Sequence, residues 1–166
     1  TLGRIALLGA ILLVIGSVSM TGAAAAQGLM PGNGTVDDPY QISDVDDLQL
    51  MENDLDAHYV LTTDIDGSPS QSWDGELGFD PIGDSTNAFT GTFDGQGHSI
   101  DLLYIDRDDP NIGVFGNVQD ATIERVGLTN IEITTRGASD VGSVVGRSTS
   151  SQISRVTVGG SIDSQS

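Results

Sequence analysis

Cysteine and lysine are both missing from this 166-residue sequence, and aromatic residues make up only 5% of it. Without cysteine there are no disulfides and no thiolate metal sites, so redox chemistry says nothing about the compartment. Without lysine, the positive charge rests on six arginines. Against them stand 24 acidic side chains, 20 of them Asp, for a formal net charge of −18 at pH 7. Such a chain repels a phosphate backbone, which argues against nucleic acid as a partner. All 24 acids lie after residue 36 and one arginine, Arg4, lies before it, so the later part sets 24 acids against five arginines. In dilute buffer that self-repulsion opposes compaction. At molar salt the screening length falls to roughly 3 Å, and the same surface keeps a protein soluble. The composition therefore points to a salt-adapted protein. An acidic disordered chain is the alternative, but 37% hydrophobic residues with recurring Val and Ile segments supply material for a core.

The chain opens with Thr1-Leu-Gly-Arg4, which carries one positive charge. An uncharged apolar run of 14 residues, Ile5 to Val18, follows. Small residues come next, with Ala24 and Ala26 spaced for cleavage before Gln27. This order matches a secretory signal. Residues 1–26 are read as a signal peptide and the protein as exported to the cell surface or beyond, touching the membrane only through that segment. An uncleaved anchor is the rival, because residues 5–26 offer 22 uncharged positions, close to a membrane-spanning length; its Gly, Ser and Ala content weakens that reading. Residues 27–36, with three Gly and a Pro, read as a linker. Asn33-Gly34-Thr35 is a sequon, which makes Asn33 a candidate glycosylation site. The start at Thr1 and the stop just past the apolar stretch Val156 to Ile162 read as those of a fragment, its last coils truncated.

Residues 37–88 read as an N-terminal cap. Ser43 is placed to cap a helix over roughly 44–53, Asp44, Asp46 and Asp47 suit its first turn, and Val45, Leu48 and Met51 recur at helical spacing. His58 to Ile65 is β-branched and aromatic, a strand, and Asp66 to Asp74 is a loop. From residue 89 to 166 the chain repeats itself. Ile100-x-x-Leu103-x-Ile105 returns 23 residues on as Ile123-x-x-Val126-x-Leu128 and 30 residues later as Ile153-x-x-Val156-x-Val158. Val114-Phe-Gly116 likewise returns as Val144-Val-Gly146. Short apolar strands at this period, divided by glycine corners at Gly91, Gly95, Gly97, Gly113, Gly116, Gly142 and Gly146, are what stacked coils require, since one coil cannot bury its own apolar face. An antiparallel β-sandwich with accidental self-similarity is the alternative.

The run Gly34-Thr-x-x-Asp-Pro-Tyr-Gln-Ile-Ser43, the segment Phe93-Asp-Gly-Gln-Gly-His-Ser-Ile100, and the units Ile112-Gly-Val-Phe-Gly116 and Val141-Gly-Ser-Val-Val-Gly146 resemble the exported GLUG-repeat proteins. That group is associated with filamentous-haemagglutinin-like adhesins and some surface peptidases, and its haloarchaeal members are acidic in this manner. The resemblance covers roughly residues 34–162. It implies an all-β fold, a right-handed parallel β-helix (β-solenoid), here with a short N-terminal capping helix and strand and preceded by a hydrophobic signal helix. The coils would then be scaffolding, and the peptidase association carries nothing over. Ser143 and Val144 depart from the motif, which usually has Gly and Leu there.

The residues able to carry chemistry are few. His58 and His98 are the two histidines, and a lone His between glycines is better placed as a turn residue than as a base. No nucleophile with base and orienter can be assembled. Asp64-x-Asp66 and Asp106-x-Asp108 offer oxygens at alternating spacing, as calcium loops do, without completing an EF-hand. Calcium is the cofactor these four residues would take, and solvated surface acid is their plainer reading. If the three repeated segments stack in register, Asp101 and Glu124 share one outward column with Ser154, and Leu102, Arg125 and Arg155 form the next, about 4.8 Å apart. Carboxylates beside arginines on such a face suit a polysaccharide lyase or hydrolase, with an arginine as base. A surface ladder worth tenths of a kcal/mol per pair is the plainer reading. The function expected is a structural or adhesive scaffold at the cell surface, with surface glycans or other surface proteins as partners. A carbohydrate-active enzyme is the alternative.

One consequence follows from charge alone. Moving the protein from molar salt to dilute buffer should lower its melting temperature, as followed by circular dichroism; an unchanged melting temperature would remove the case for salt adaptation.

Overall fold

The computed structural model describes residues 30–165. The expected signal segment, residues 1–26, and the first three linker residues lie outside the described residues.

Each coil runs along three faces. β1 (Tyr40–Ile42) opens the first coil, and α1 (Val45–Leu50), continued by a 3-10 turn at Met51–Asn53, completes that coil. The second carries β2 (His58–Leu61) and β3 (Ile65–Asp66), then an excursion with 3-10 structure at Ser68–Gly75. The third holds β4 (Thr92–Asp94), β5 (Ser99–Asp101), β6 (Tyr104–Asp106), β7 (Asn111–Ile112) and β8 (Phe115–Gln119). β9 (Thr122–Glu124), β10 (Gly127–Arg136), β11 (Asp140–Val141) and β12 (Val145–Thr149) make the fourth, and β13 (Gln152–Ser154) and β14 (Thr157–Gln165) begin another. The result is a parallel β-solenoid of about 4 turns. Its first face is the sheet β1-β2-β4-β9-β13 and its second β3-β5-β10-β14, with β6 also on β10. The third face pairs β7 with β11 and β8 with β12, extended by parallel bridges from Ile82 to Phe115 and Phe89 to Val118.

Alternation explains which side of each strand faces inward. Along β4 and β9, Phe93 and Ile123 are buried while Thr92, Asp94, Thr122 and Glu124 face out. The core is continuous from Ile42 to Ile133. Within it a file of aromatic rings crosses coils, with centroids 5.5 Å apart for Tyr40–Tyr59, 6.2 Å for Tyr59–Phe89, 5.1 Å for Phe89–Phe115 and 5.4 Å for Phe93–Phe115. Such pairs add about 0.5–1.5 kcal/mol each beyond area burial. At the N-terminal end, α1 turns Val45 and Leu48 onto the core and the 3-10 turn adds Met51, a lid of the kind the spacing predicts. Its N-cap is Asp44 rather than Ser43: Asp44 Oδ1 accepts from the Asp47 N–H at 2.8 Å, while Asp47 Oδ2 accepts from both the Ser43 N–H and hydroxyl at 2.9 Å. The single strand expected over His58 to Ile65 breaks at residues 62–64, where the chain turns from the first face to the second.

The register corrects one part of the repeat. Ile123 does stack on Ile153, 30 residues on, but Ile100 stacks on Leu128 and not on Ile123; the residue below Ile123 is Phe93. The apolar-x-x-apolar motif misleads because it occurs at two different corners, and the fourth coil carries it at both. In Ile100-Asp-Leu-Leu103, Ile123-Glu-Arg-Val126, Leu128-Thr-Asn-Ile131 and Ile153-Ser-Arg-Val156, the third residue is left-handed, with φ of 57° at Leu102, 55° at Arg125, 47° at Asn130 and 53° at Arg155. A left-handed non-glycine residue costs about 1–2 kcal/mol, and at several of these corners a bond to the next coil offsets it. The N–H of Leu102 donates to Thr129 O at 3.1 Å and that of Arg125 to Ser154 O at 3.2 Å. Glycine is therefore not the usual source of positive φ here; among the seven expected corner glycines only Gly97 has it. The units around 113 and 142 need glycine for proximity, since a Cβ on Gly142 would lie 2.2 Å from Val145 O and one on Gly113 would lie 2.5 Å from Gly142 O.

Equivalent positions on successive coils differ only in what covers them. Ile123→Ala should cost about 2–5 kcal/mol, the range for a fully buried aliphatic. Ile153→Ala, at 41% exposure, should cost well under half of that. Urea denaturation of the two variants decides it, and equal losses would contradict the stacking described.

Candidate functional site

The corner between the first and second faces brings Glu124, Arg125 and Arg155 together. Asp94, Glu124 and Ser154 are consecutive register partners. The Arg125 guanidinium hydrogen-bonds the Asp94 carboxylate of the preceding coil and lies 3.8 Å from Glu124, while Arg155 donates to Glu124 at 2.6 Å. Each arginine thus rests on the carboxylate one coil back. Asp101 does not join this ladder. It sits on the second face next to Asp66, where it accepts from the Thr129 hydroxyl at 2.7 Å and the Asn130 amide at 2.8 Å. Leu102 stands at a different corner, 42% exposed. The ladder alternates charge and holds neighbouring coils in register, each exposed pair contributing at most about 1 kcal/mol.

The four calcium candidates occupy three places. Asp64 accepts from the Ser99 N–H at 2.8 Å and its hydroxyl at 3.2 Å, with His98 Nδ1 at 3.5 Å. The Ser99 N–H foremost holds the Asp64 carboxyl below its ordinary range. Asp66 turns back to the Ser68 N–H at 3.0 Å, which lowers its pKa in the same way. Asp106 lies 3.5 Å from Arg136, and Asp108 caps the Arg136 N–H at 2.7 Å. Among the described residues, no group of three or more His, Asp or Glu side chains is placed to hold a metal. Asn33 is exposed in a turn and its side-chain amide donates to Asp38 at 2.5 Å.

A denser charged centre lies elsewhere. Arg107, the lone arginine among the 19 acids of residues 37–109, has a side chain only 10% exposed. Its Nε donates to Phe79 O at 3.1 Å and its Nη2 to Gly78 O at 3.1 Å and Asp74 at 2.9 Å, with Asp80 at 3.6 Å from Nη1. It pins the excursion between β3 and β4 onto β6. Burial pushes the Asp80 carboxyl up, an effect that Arg107 opposes. Glu52 faces the same cleft with Asp80 and Asp84. Partial burial, then the charges of Asp80 and Asp84, push it up to about 7 against the pull of Arg107. A single arginine inside an acidic stretch was the sequence signal for this centre; nothing in the sequence marked Glu52.

Two relatives bear on this arrangement. Halomucin of Haloquadratum walsbyi is 40% identical over 142 residues, which take in 80% of this chain but 2% of that protein. A protein of Evansella cellulosilytica that carries the name Gly-rich membrane protein is 36% identical over 111 residues, 64% of this chain and 13% of its own length. The chain therefore spans a small part of each. No protein-family model matches it, and no solved structure does.

The shifted carboxyl predicts a sign for pH dependence. The Glu52 pKa is raised on folding, so its contribution is fully present below the ordinary value of 4.5 and is lost as pH rises through about 7. Glu52 reaches solvent at the rim, which screens the effect, so the expectation concerns direction. The native protein's melting temperature should fall between pH 5 and 8 and Glu52→Gln should flatten that fall; superimposable profiles would refute it.

Proposed function

We propose that this chain is a segment of an exported, salt-adapted repeat protein that works as a structural or adhesive scaffold at the cell surface. The observation that carries this reading is the state of the last coil. Ile153, Val158 and Ile162 are 41%, 47% and 44% exposed, whereas their register partners Ile123, Leu128 and Ile133 are at most 1% exposed. The last coil has the composition of an interior one. Its exposed side fits a further coil of the same register, in line with repeat stacks that extend by nearest-neighbour contact. Both relatives are many times longer than the aligned stretch, which supports a long array. The acidic composition and the likeness to Halomucin support a saline setting, and the signal-like residues 1–26 support export. The repeated Gly-bracketed units support a place in the GLUG-repeat group. The enzyme reading is the weaker one, because Arg125 and Arg155 both sit on carboxylates and neither is free to act as a base.

The test has two arms. Appending one coil copied from residues 122–151 after the last strand should raise the urea midpoint and cover Ile153. Brief protease treatment of intact cells in molar salt should release peptides from residues 30–165. No gain in midpoint would sink the scaffold reading, and peptides recovered only after lysis would sink the surface reading.

A further inference from the structure

The sequon Asn33-Gly34-Thr35 is a feature that neither the coils nor the charged clefts account for. It lies ahead of β1, in the turn over residues 31–39 that leads into the first coil. Backbone bonds alone close this turn. The N–H groups of Asn33 and Thr35 both donate to Asp38 O, at 3.0 and 3.2 Å, and the Asp38 N–H donates back to Thr35 O at 3.3 Å. Gly32 and Gly34 supply its positive φ values, 99° and 69°. A side chain at Gly34 would also collide with the Tyr40 ring, since a Cβ there lies 2.4 Å from Cε2. The fold thus explains both glycines, but closure of the turn does not call for an asparagine at 33.

The turn presents the two outer side chains of the sequon. Asn33 and Thr35 are exposed on either side of the buried Gly34. Of the two hydrogens on Asn33 Nδ2, one is held by the Asp38 carboxylate at 2.5 Å, and the other has no partner among the described residues. A substituent that replaces the second hydrogen leaves the first in place, so the folded turn can carry an N-linked group and keep its contact with Asp38. The other five asparagines, at 53, 87, 111, 117 and 130, are followed two places on by Leu55, Phe89, Gly113, Gln119 and Glu132. None of them has the hydroxyl residue that an acceptor sequon requires. Three strands separate β1 from β13 in the first-face sheet, which sets Asn33 roughly 19 Å along the stack from the last coil. A bulky group there stays clear of coil addition.

We propose that Asn33 is a site of N-linked glycosylation, with the Thr35 hydroxyl as the second recognition element. The donor is an oligosaccharide joined through phosphate to a membrane lipid, and the transferase is a separate protein. Nδ2 attacks the anomeric carbon of the first sugar and the bond from that carbon to the phosphate oxygen breaks. The lipid phosphate leaves with the bonding pair, and one Nδ2 proton passes to a base of the transferase. The proposal rests on the reading of the protein as exported, because that is the side of the membrane on which such a group becomes a solubilising surface feature.

The test is mass spectrometry of the protein isolated in molar salt from its own cells, with exported and cytoplasmic fractions digested separately by a protease that cuts before Asp. The peptide ending at Val36 holds Asn33 and Thr35 and no acidic residue, so one fragment reports on the sequon. In exported protein it should carry a series of sugar masses, with fragment ions placing the first sugar on Asn33. Asn33→Gln and Thr35→Ala should each remove the series. Thr35→Ser, which keeps a hydroxyl and its contact with the Asp38 N–H, should retain it. All three variants change exposed positions and should be exported in the native amount. Exported protein with only the bare peptide overturns the proposal and leaves export standing. Sugar that survives Asn33→Gln also overturns it, because the link is then to the Thr35 hydroxyl. Protein confined to the cytoplasm with a bare peptide sinks both readings.

Discussion

Parallel pairing between one coil and the next is the constraint from which the rest of this structure follows. A three-residue strand such as β4 or β9 has no stability of its own, because its inward residue is buried only when strands above and below continue the sheet. Once Thr92 is aligned with Thr122, and Thr122 with Gln152, outward residues stack on outward residues. The hydrogen bonds then run along the stack, and the corners fall one above another. The left-handed residues at those corners are tolerated for the same reason. At Leu102 and Arg125 the next coil takes up the amide, so strain that an isolated turn would relieve is held in place by repetition.

The general architecture was legible because period and alternation survive in the sequence. The 30-residue return of Ile123 at Ile153 and of Gly116 at Gly146 corresponds to real register. The 23-residue return did not, since Ile100 and Ile123 occupy different corners of the same kind. Local sequence reports a corner's shape and not which corner it is. Between Asp94 and Ser99 the third coil also carries two residues more than the fourth does between Glu124 and Gly127, an insertion that shifts the phase and places His98 on the turn. The capping helix could be read from apolar spacing, but its N-cap could not be assigned, because Ser43 and Asp44 are both good caps and backbone entry angle chooses between them.

The candidate site was less legible. Glu124, Arg125 and Arg155 do meet, because neighbours in sequence at a corner become neighbours across coils. Arg107 owes its surroundings to the excursion at 67–90, a stretch without periodicity whose path is set by what it covers. Arg107 is the element that makes this excursion definite. It ties three points of it, Asp74, Gly78 and Phe79, to β6. One buried cation there also moderates the repulsion among Asp74, Asp80 and Asp84, so structural order and charge compensation are the same set of contacts.

The two ends of the stack are unlike. α1 and the 3-10 turn seal one with Val45, Leu48 and Met51, while the other presents Ile153, Val158 and Ile162. Among the described residues the stack therefore has a direction. The sealed end is also the first to be synthesised, so each new length of chain meets a finished template and need only lie down on it. Assembly of this kind is a zipper closing from one side, in which no strand must search for a partner that does not yet exist.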